Sequence, residues 1–411
     1  MNLPDWLARI EALRPELIRL GLERIAEVAA RLGIASLPGR VITVAGTNGK
    51  GSTLALLDEL ARASGKSTSL YTSPHLFRFN ERICQQGRPV ADADLCAAFE
   101  AVEAARGDTP LTYFEFTTLA AFWLFRQQPT DLYLLEVGLG GRLDAVNLLA
   151  AEVAVITSIG LDHTDWLGDT RDAIGREKSG IARAGRPLLY GERDMPASVE
   201  QVCHEVGAQL QRAGRDFGFD RAEQRLFWGG QQLPLAAPVW LGEDNLATAL
   251  QALAQAGVKP THENIVAVAA RARLKGRCEQ HWLAGVEWIF DVGHNREAMA
   301  RVAERLPPHA GRTLALCAML ADKPAEAVLS LVSRIDHWWL ANLPGARGGG
   351  VERLAALLPT SDSFADVSAA LAALKAELVA GDRVLVTGSF MTVMRVQELL
   401  GLTTNTNEKA L

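Results

Sequence analysis

The chain lacks paired cysteines. Its five, Cys84, Cys96, Cys203, Cys278 and Cys317, are odd in number and never spaced C-x-x-C, which argues against a disulfide framework or a cysteine zinc site. It also lacks a basic excess: a formal net charge of -6 leaves little to neutralise a phosphodiester backbone, so nucleic acid is not an expected partner. No run reaches the roughly 18 consecutive apolar residues of a membrane-spanning helix. Met1-Asn2-Leu3-Pro4-Asp5 has no basic start and no apolar core of a signal peptide. These absences give the expectation of a soluble, cytoplasmic protein with no membrane partner.

What is present is a long, apolar-rich chain. At 411 residues and 48% apolar content it exceeds one comfortable core and can fill two. Short apolar runs alternate with longer helical patterns, the habit of an α/β fold with a parallel sheet covered on both faces. Val41–Val44, Leu132–Leu135 and Val153–Ile156 read as buried strands, and a helix is expected from about Ser52 to Arg62. Gly191 to Pro238 is less regular and reads as short antiparallel strands or loops, followed by a helix over Asn245–Ala256. Strands at Val286–Phe290, Thr313–Leu316, His337–Leu340 and Arg383–Val386 indicate a second α/β domain. The boundary is placed between 282 and 283, giving domains 1–282 and 283–411. The tail beyond Thr403 has little to pack and is expected to fray.

In open parallel sheets ligands bind beyond the carboxyl ends of strands, and the chemistry-bearing residues stand there. Gly46-Thr47-Asn48-Gly49-Lys50-Gly51-Ser52 lies between a strand and a helix, where backbone N–H groups and the helix dipole cradle phosphate and Lys50 reaches the terminal phosphates. It departs from the general phosphate loop: Val44 stands where the first glycine belongs, and Gly51 where a hydroxyl follows the lysine. Glu136 ends a buried strand, where a carboxylate is costly unless paired or metal-bound. It is the first candidate for magnesium, and Arg142 or helix N–H groups are the alternative partners. His163, between Asp162 and Thr164-Asp165, is a second metal candidate that by itself reads more readily as a capping or hydrogen-bonding residue. Lys178, in Arg176-Glu177-Lys178-Ser179-Gly180, alone reads as a solvated or salt-bridged lysine. Asp291, His294 and Arg277 cluster near the domain boundary.

Taken together, several segments resemble the folylpolyglutamate synthase family, within it the bacterial enzymes that also make dihydrofolate. They are Leu20-Gly21-Leu22-Glu23-Arg24, Gly46 to Ser52, Ser73-Pro74-His75-Leu76, Leu111 to Glu115, Glu136 to Asn147, Asp162 to Gly168, Glu177 to Ile181 and Asp291 to Asn295. Their order and spacing cover nearly the whole chain.

The resemblance implies a Mur-ligase-like architecture, an N-terminal P-loop ATPase domain and a C-terminal Rossmann-like domain. It implies an ATP-dependent ligase that adds L-glutamate to dihydropteroate and to reduced folates, with two Mg2+ ions, acting as a monomer. ATP falls to Thr47, Asn48, Gly49, Lys50, Gly51, Ser52, Asn245, Arg277, Asp291 and His294. Metal falls to Ser73, Glu136, His163 and Lys178, the last as a carbamate, so the bland readings of His163 and Lys178 give way. Lys50, Glu136, His163 and Lys178 carry the catalysis. Pterin falls to Leu17, Ile18, Arg19 and Leu20, to Thr112, Tyr113, Phe114 and Glu115, and to Leu143, Asp144 and Ala145.

Pro324 stands where relatives carry an aspartate, so no carboxylate role is assigned there. The alternatives are an enzyme limited to folylpolyglutamate synthesis, or a Mur-type peptidoglycan-precursor ligase, disfavoured because only about 40 residues precede the first strand. A non-catalytic nucleotide switch would keep Gly46 to Ser52 but not need Glu136, His163 and Lys178.

Overall fold

The computed structural model describes residues 1–13, 20–235, 237–345 and 347–403. Leu17, Ile18 and Arg19, expected at the pterin, and the tail from residue 404 lie outside the described residues. The chain divides into two units, Met1–Ala272 and Arg273–Leu411.

The first unit is built on eight strands: β1 (Arg40–Ala45), β2 (Thr68–Tyr71), β3 (Ile83–Gln85), β4 (Arg88–Pro89), β5 (Leu132–Glu136), β6 (Val153–Ile156), β7 (Pro187–Tyr190) and β8 (Gln209–Arg212). They lie in the order β4-β3-β2-β5-β1-β6-β7-β8. Pairing is parallel from β2 to β8 and antiparallel only at the β3 and β4 edge. β1, β5 and β6 are buried almost along their length, which is why they read as unbroken apolar runs rather than as alternating ones. Two apolar clusters cover the sheet. One gathers Trp6, Phe99, Phe116, Phe122 and Phe125, and the other Ile174, Ile181, Leu188 and Val199.

Register decides what meets at the carboxyl rim. Val44 pairs with Glu136, Ala45 with Ile156, and Tyr71 with Leu135. Gly46, Thr72, Glu136 and Thr157 therefore come to the same edge from four neighbouring strands. β1 sits in the middle with β5 on one side and β6 on the other, so the chain crosses over it where the sheet order reverses, the place where such sheets open a crevice.

The irregular stretch after β8 forms a small antiparallel sheet of β9 (Gly218–Asp220), β10 (Arg225–Trp228) and β11 (Gln231–Pro234). A helix, Glu243–Gln255, follows it as expected.

The second unit has its own sheet, with β12 (Glu279–Leu283), β13 (Val286–Phe290), β14 (Thr313–Cys317), β15 (His337–Ala341), β16 (Ser361–Phe364) and β17 (Arg383–Thr387) in the order β12-β13-β17-β14-β15-β16. All pairs but β12 with β13 are parallel. The sequence reading places the domain boundary after residue 282, whereas the division falls after Ala272. The difference lies in β12, which pairs antiparallel with β13 and so joins the second sheet. Among the described residues no helix is long and apolar enough to cross a membrane.

Candidate active site

The phosphate loop divides into two halves with different tasks. In the first half the backbone is strapped to the segment after β6. The Thr47 N–H donates to the Ser158 carbonyl at 2.9 Å and the Asn48 N–H to Ser158 Oγ at 2.8 Å. The Thr157 hydroxyl donates to the Asn48 carbonyl at 2.6 Å, and the Thr47 hydroxyl to the Gly160 carbonyl at 3.2 Å. Gly46 must be glycine here: its φ is +149°, and a Cβ would lie 1.9 Å from Thr157 Oγ1.

The second half is the start of the helix Lys50–Ala63, entered through Gly49 at φ 86°. Lys50, Gly51 and Ser52 occupy its first turn, whose N–H groups have no carbonyl within the helix to bond and point toward an anion. The Thr47 and Asn48 amides are thus engaged by Ser158, whereas Lys50, Gly51 and Ser52 stand where a helix leaves its N–H groups without an intrahelical acceptor. The Lys50 ammonium arches back to the Gly46 carbonyl at 2.9 Å. Asn245 stands beside this turn, with the Thr53 hydroxyl donating to its Oδ1 at 3.4 Å and a Cβ on Gly49 falling 2.8 Å from the same atom.

Glu136, 4% exposed, is not paired with Arg142, which instead bonds Glu177 at 2.8 Å. One carboxylate oxygen, Oε2, accepts from the Thr72 hydroxyl and from the Ser73 N–H at 3.2 Å. Glu136 Oε1 and Ser73 Oγ accept no hydrogen bond among the described residues. These two oxygens, just beyond or at the ends of neighbouring strands, are the hard donors that magnesium prefers. The residues present fit the ion.

The other two metal candidates come from the loop after β6 and the helix Arg171–Ser179. His163 has a left-handed backbone, φ 53°, at the start of the short helix Thr164–Leu167, and its side chain is 36% exposed. The adjacent Asp162 carboxylate lies 4.0 Å from its Nε2. Lys178 is 5% exposed. Burial, and then the nearby Lys50 charge, push its ammonium down to about 7 against the opposing pull of Asp162 and Asp144. A lowered ammonium yields the neutral amine that reaction with carbon dioxide to a carbamate would require. Among the described residues no three His, Cys, Asp or Glu side chains cluster as a ready-made metal cage; the four candidates expected from sequence are a hydroxyl, one carboxylate, an imidazole and this lysine. Gly141 lets the loop pack on the Lys178 helix, since a Cβ there would lie 2.7 Å from the Lys178 carbonyl.

The expected pterin residues are brought together in part. Thr112 caps the helix Tyr113–Gln127 in a reciprocal box: Thr112 Oγ1 accepts from the Glu115 N–H at 3.2 Å, and Glu115 Oε2 from the Thr112 N–H at 2.7 Å. Glu115 Oε1 accepts from Arg24 at 2.8 Å in a largely buried pair. Glu115 is therefore engaged on both oxygens, and the rings of Tyr113 and Phe114 are what this segment offers a flat ligand. Phe114 reaches the other segment, for a Cβ on Gly138 would meet its ring at 2.6 Å. Asp144 closes the 138–144 loop, accepting from the Leu139 and Val146 N–H groups at 2.8 and 2.9 Å. Burial raises its carboxyl to about 6. Leu143 and Ala145 flank it in sequence, and Leu20 is only partly buried.

In the second unit Arg277, Asp291 and His294 do share one neighbourhood. Asp291 follows β13; its Oδ2 accepts from the Cys278 N–H at 2.9 Å and its Oδ1 from the Gly293 N–H at 2.8 Å. The Arg277 guanidinium lies 5.3 Å over the Phe390 ring. His294 Nδ1 sits 2.9 Å from the Val292 carbonyl.

Comparison with known proteins decides the family. Residues 44–188 match the Mur ligase middle domain and 276–390 the Mur ligase glutamate ligase domain. The chain is 44% identical to the dihydrofolate synthase/folylpolyglutamate synthase of Escherichia coli, over 97% of this chain and 95% of that protein. The Haemophilus influenzae enzyme of the same name is 37% identical, over 95% and 96%. The structure of E. coli FolC in complex with DHPP and ADP superposes with a TM-score of 0.93 at 43% identity, covering 98% of both chains. The chain belongs to the folylpolyglutamate synthase family. It is accordingly an ATP-dependent acid–amino-acid ligase with Mur-ligase-like α/β domains. Similarity to these folate enzymes runs the length of the chain, which removes the peptidoglycan-precursor ligase and the nucleotide switch as readings.

Several residues of this family member's site were not singled out from sequence. Thr157 and Ser158 strap the phosphate loop, Thr72 holds Glu136, and Phe390 lies under Arg277. Thr72, Thr157 and Ser158 directly follow β2 and β6, so the strand-end rule reached them; small hydroxyl residues simply carried no motif.

Proposed function

We propose that this chain joins L-glutamate to dihydropteroate, giving dihydrofolate, and to reduced folates, giving folylpolyglutamates, through an acyl phosphate. The observation that carries the reading is the shared carboxyl rim of β1, β2 and β5: a helix N-terminus with Lys50 beside a buried Glu136 that keeps one oxygen open. Two related structures bear on the substrates. One holds DHPP and ADP. The other is a bifunctional enzyme 42% identical to this chain, TM-score 0.91 over 98% of both chains, with Mn, AMPPNP and L-glutamate bound.

A carboxylate resists an amine because its charge repels the nucleophile and oxide is no leaving group. Transfer of the γ-phosphoryl group of ATP to that carboxylate removes both obstacles. The first-turn N–H groups of Lys50, Gly51 and Ser52, with the Lys50 ammonium, stabilise the charge that develops on the transferring group. The glutamate amino group then attacks the acyl carbon and phosphate leaves, giving amide, ADP and phosphate.

Ser73 and Glu136 would hold one magnesium ion and His163 and the Lys178 carbamate a second; when bound, the ions supply charge neutralisation at the phosphates. Asn245, Arg277, Asp291 and His294 are assigned to ATP, and the Tyr113 and Phe114 rings with the 143–145 loop to the pterin. Without a pterin carboxylate to take the γ-phosphoryl group no acyl phosphate forms, so ATP turnover without that substrate is slow. The reading also takes the protein as a cytoplasmic monomer.

The test is phosphate release with ATP, magnesium and L-glutamate in the presence of dihydropteroate or of tetrahydrofolate. Both acceptors should support release matched by glutamylated product. Release with tetrahydrofolate alone would restrict the activity to polyglutamate synthesis, and equal release with neither acceptor would overturn the ligase reading.

A further inference from the structure

The carboxylate of Glu136 is held on one side only. Both of its donors, the Thr72 hydroxyl and the Ser73 N–H, come from the two residues after β2 and land on the same oxygen, Oε2. Oε1 takes none. A buried carboxylate that merely needed solvation would be better served by donors shared between its oxygens. The asymmetry instead fixes the rotation of the group through Oε2, and the Ser73 N–H bond brings the residue that carries the Ser73 hydroxyl to the same carboxylate.

Thr72 is well placed to do this because its own backbone is pinned. Its N–H donates to the Arg82 carbonyl at 2.9 Å, and the register of β2 on β5, Tyr71 opposite Leu135, sets residue 72 next to residue 136.

We propose that Thr72 is a positioning residue for the metal: its hydroxyl locks Glu136 so that one oxygen is presented for ligation together with Ser73. This rests on the assignment of Glu136 to magnesium made above. Groups that orient a metal ligand commonly govern affinity by about 10- to 100-fold without touching the ion.

The experiment uses the full-length protein and Mn2+ as the probe. The Mn2+ concentration that half-saturates AMPPNP binding is measured by calorimetry for wild type, Thr72→Val, Thr72→Ser and Glu136→Gln. ADP binding in EDTA and the Tm report on a merely structural effect. Thr72→Val keeps the shape and removes the donor, so it should raise the Mn2+ requirement by about tenfold. Thr72→Ser should return it to within about twofold of wild type, with ADP binding in EDTA unchanged in both.

A Thr72→Val protein with the wild-type Mn2+ requirement, alongside a Glu136→Gln protein in which it rises, overturns the role of Thr72 and leaves the Glu136 assignment standing. An unchanged requirement in Glu136→Gln overturns the metal assignment and the Thr72 role with it. If Thr72→Val does not fold, Thr72→Ser still decides: retention of the wild-type requirement supports the hydroxyl's role, and a tenfold rise contradicts it.

Discussion

Glu136 and Asp291 occupy matching places in two different sheets, each just at or beyond the carboxyl end of a buried parallel strand, and each is less than a tenth exposed. Their surroundings assign them different work. Glu136 receives both of its donors on one oxygen and keeps the other open. Asp291 receives a backbone N–H on each oxygen, from Cys278 and from Gly293, and so ties the loop bearing Arg277 to the end of β13. A strand-end carboxylate is thus a candidate ligand only to the extent that its donors leave it one. Asp291 is first a brace, and any contact it makes with ATP uses remaining lone pairs.

The sharpest way to break this contrast is to remove the groups placed at the reaction. Lys50→Ala and Glu136→Ala should each lower kcat for ligation by about a thousandfold with the circular dichroism spectrum retained. Normal ligation by either purified variant would remove that residue from the mechanism.

Asp291→Ala should behave differently. Two buried N–H groups lose their acceptor, at a cost of about 1–3 kcal/mol each, so a fall in Tm should accompany the rise in KM for ATP. An unchanged Tm would mean that Asp291 braces nothing.

Lys178 adds a dependence on pH. Burial, with the Lys50 charge, pushes its ammonium down to about 7, so the neutral amine that reacts with carbon dioxide prevails above that pH and is lost below it. After removal of bicarbonate and carbon dioxide, activity should fall, and its recovery at a fixed concentration of dissolved carbon dioxide should be several-fold faster at pH 8 than at pH 6. Intact mass under mild conditions should show an increment that acid removes. An unmodified lysine with full activity would contradict the carbamate.

The smallest effect belongs to the strap on the phosphate loop. Ser158→Ala frees the Asn48 N–H, a loss of about 1 kcal/mol, and should raise the KM for ATP by about fivefold with kcat little changed.

Much of this was legible in the sequence because buried parallel strands advertise themselves. The runs at Val41–Val44, Leu132–Leu135 and Val153–Ile156 are all strands, and the glycine-rich turn after the first does open a helix. β12 escaped, and with it ten residues of boundary, because Glu279–Leu283 alternates only partial burial with exposure at a sheet edge. Within the site, residue type and position after a strand drew attention to Lys50, Glu136 and Asp291 as candidates.

The difference between open and engaged oxygens was not legible, since it depends on the register that sets Thr72 beside Glu136 and on a backbone amide at Cys278. Nor could the sequence tell that Thr47 and Asn48 spend their amides on Ser158. Hydrogen bonds across neighbouring strands are invisible to spacing along one chain. Lys178 shows the same limit from another side. Its bland helical setting concealed a burial that, with the Lys50 charge, lowers its ammonium, and only the family resemblance drew notice to it.

The most direct measurement compares wild type with Glu136→Gln, which keeps the shape and removes the charge, in acceptor-dependent phosphate release and in Tm. Wild type should release phosphate only with ATP, magnesium, L-glutamate and a pterin acceptor together, and Glu136→Gln should release none at a Tm within about 4 °C of wild type. Glu136→Gln turning over at the wild-type rate would contradict the placement of the reaction at this rim.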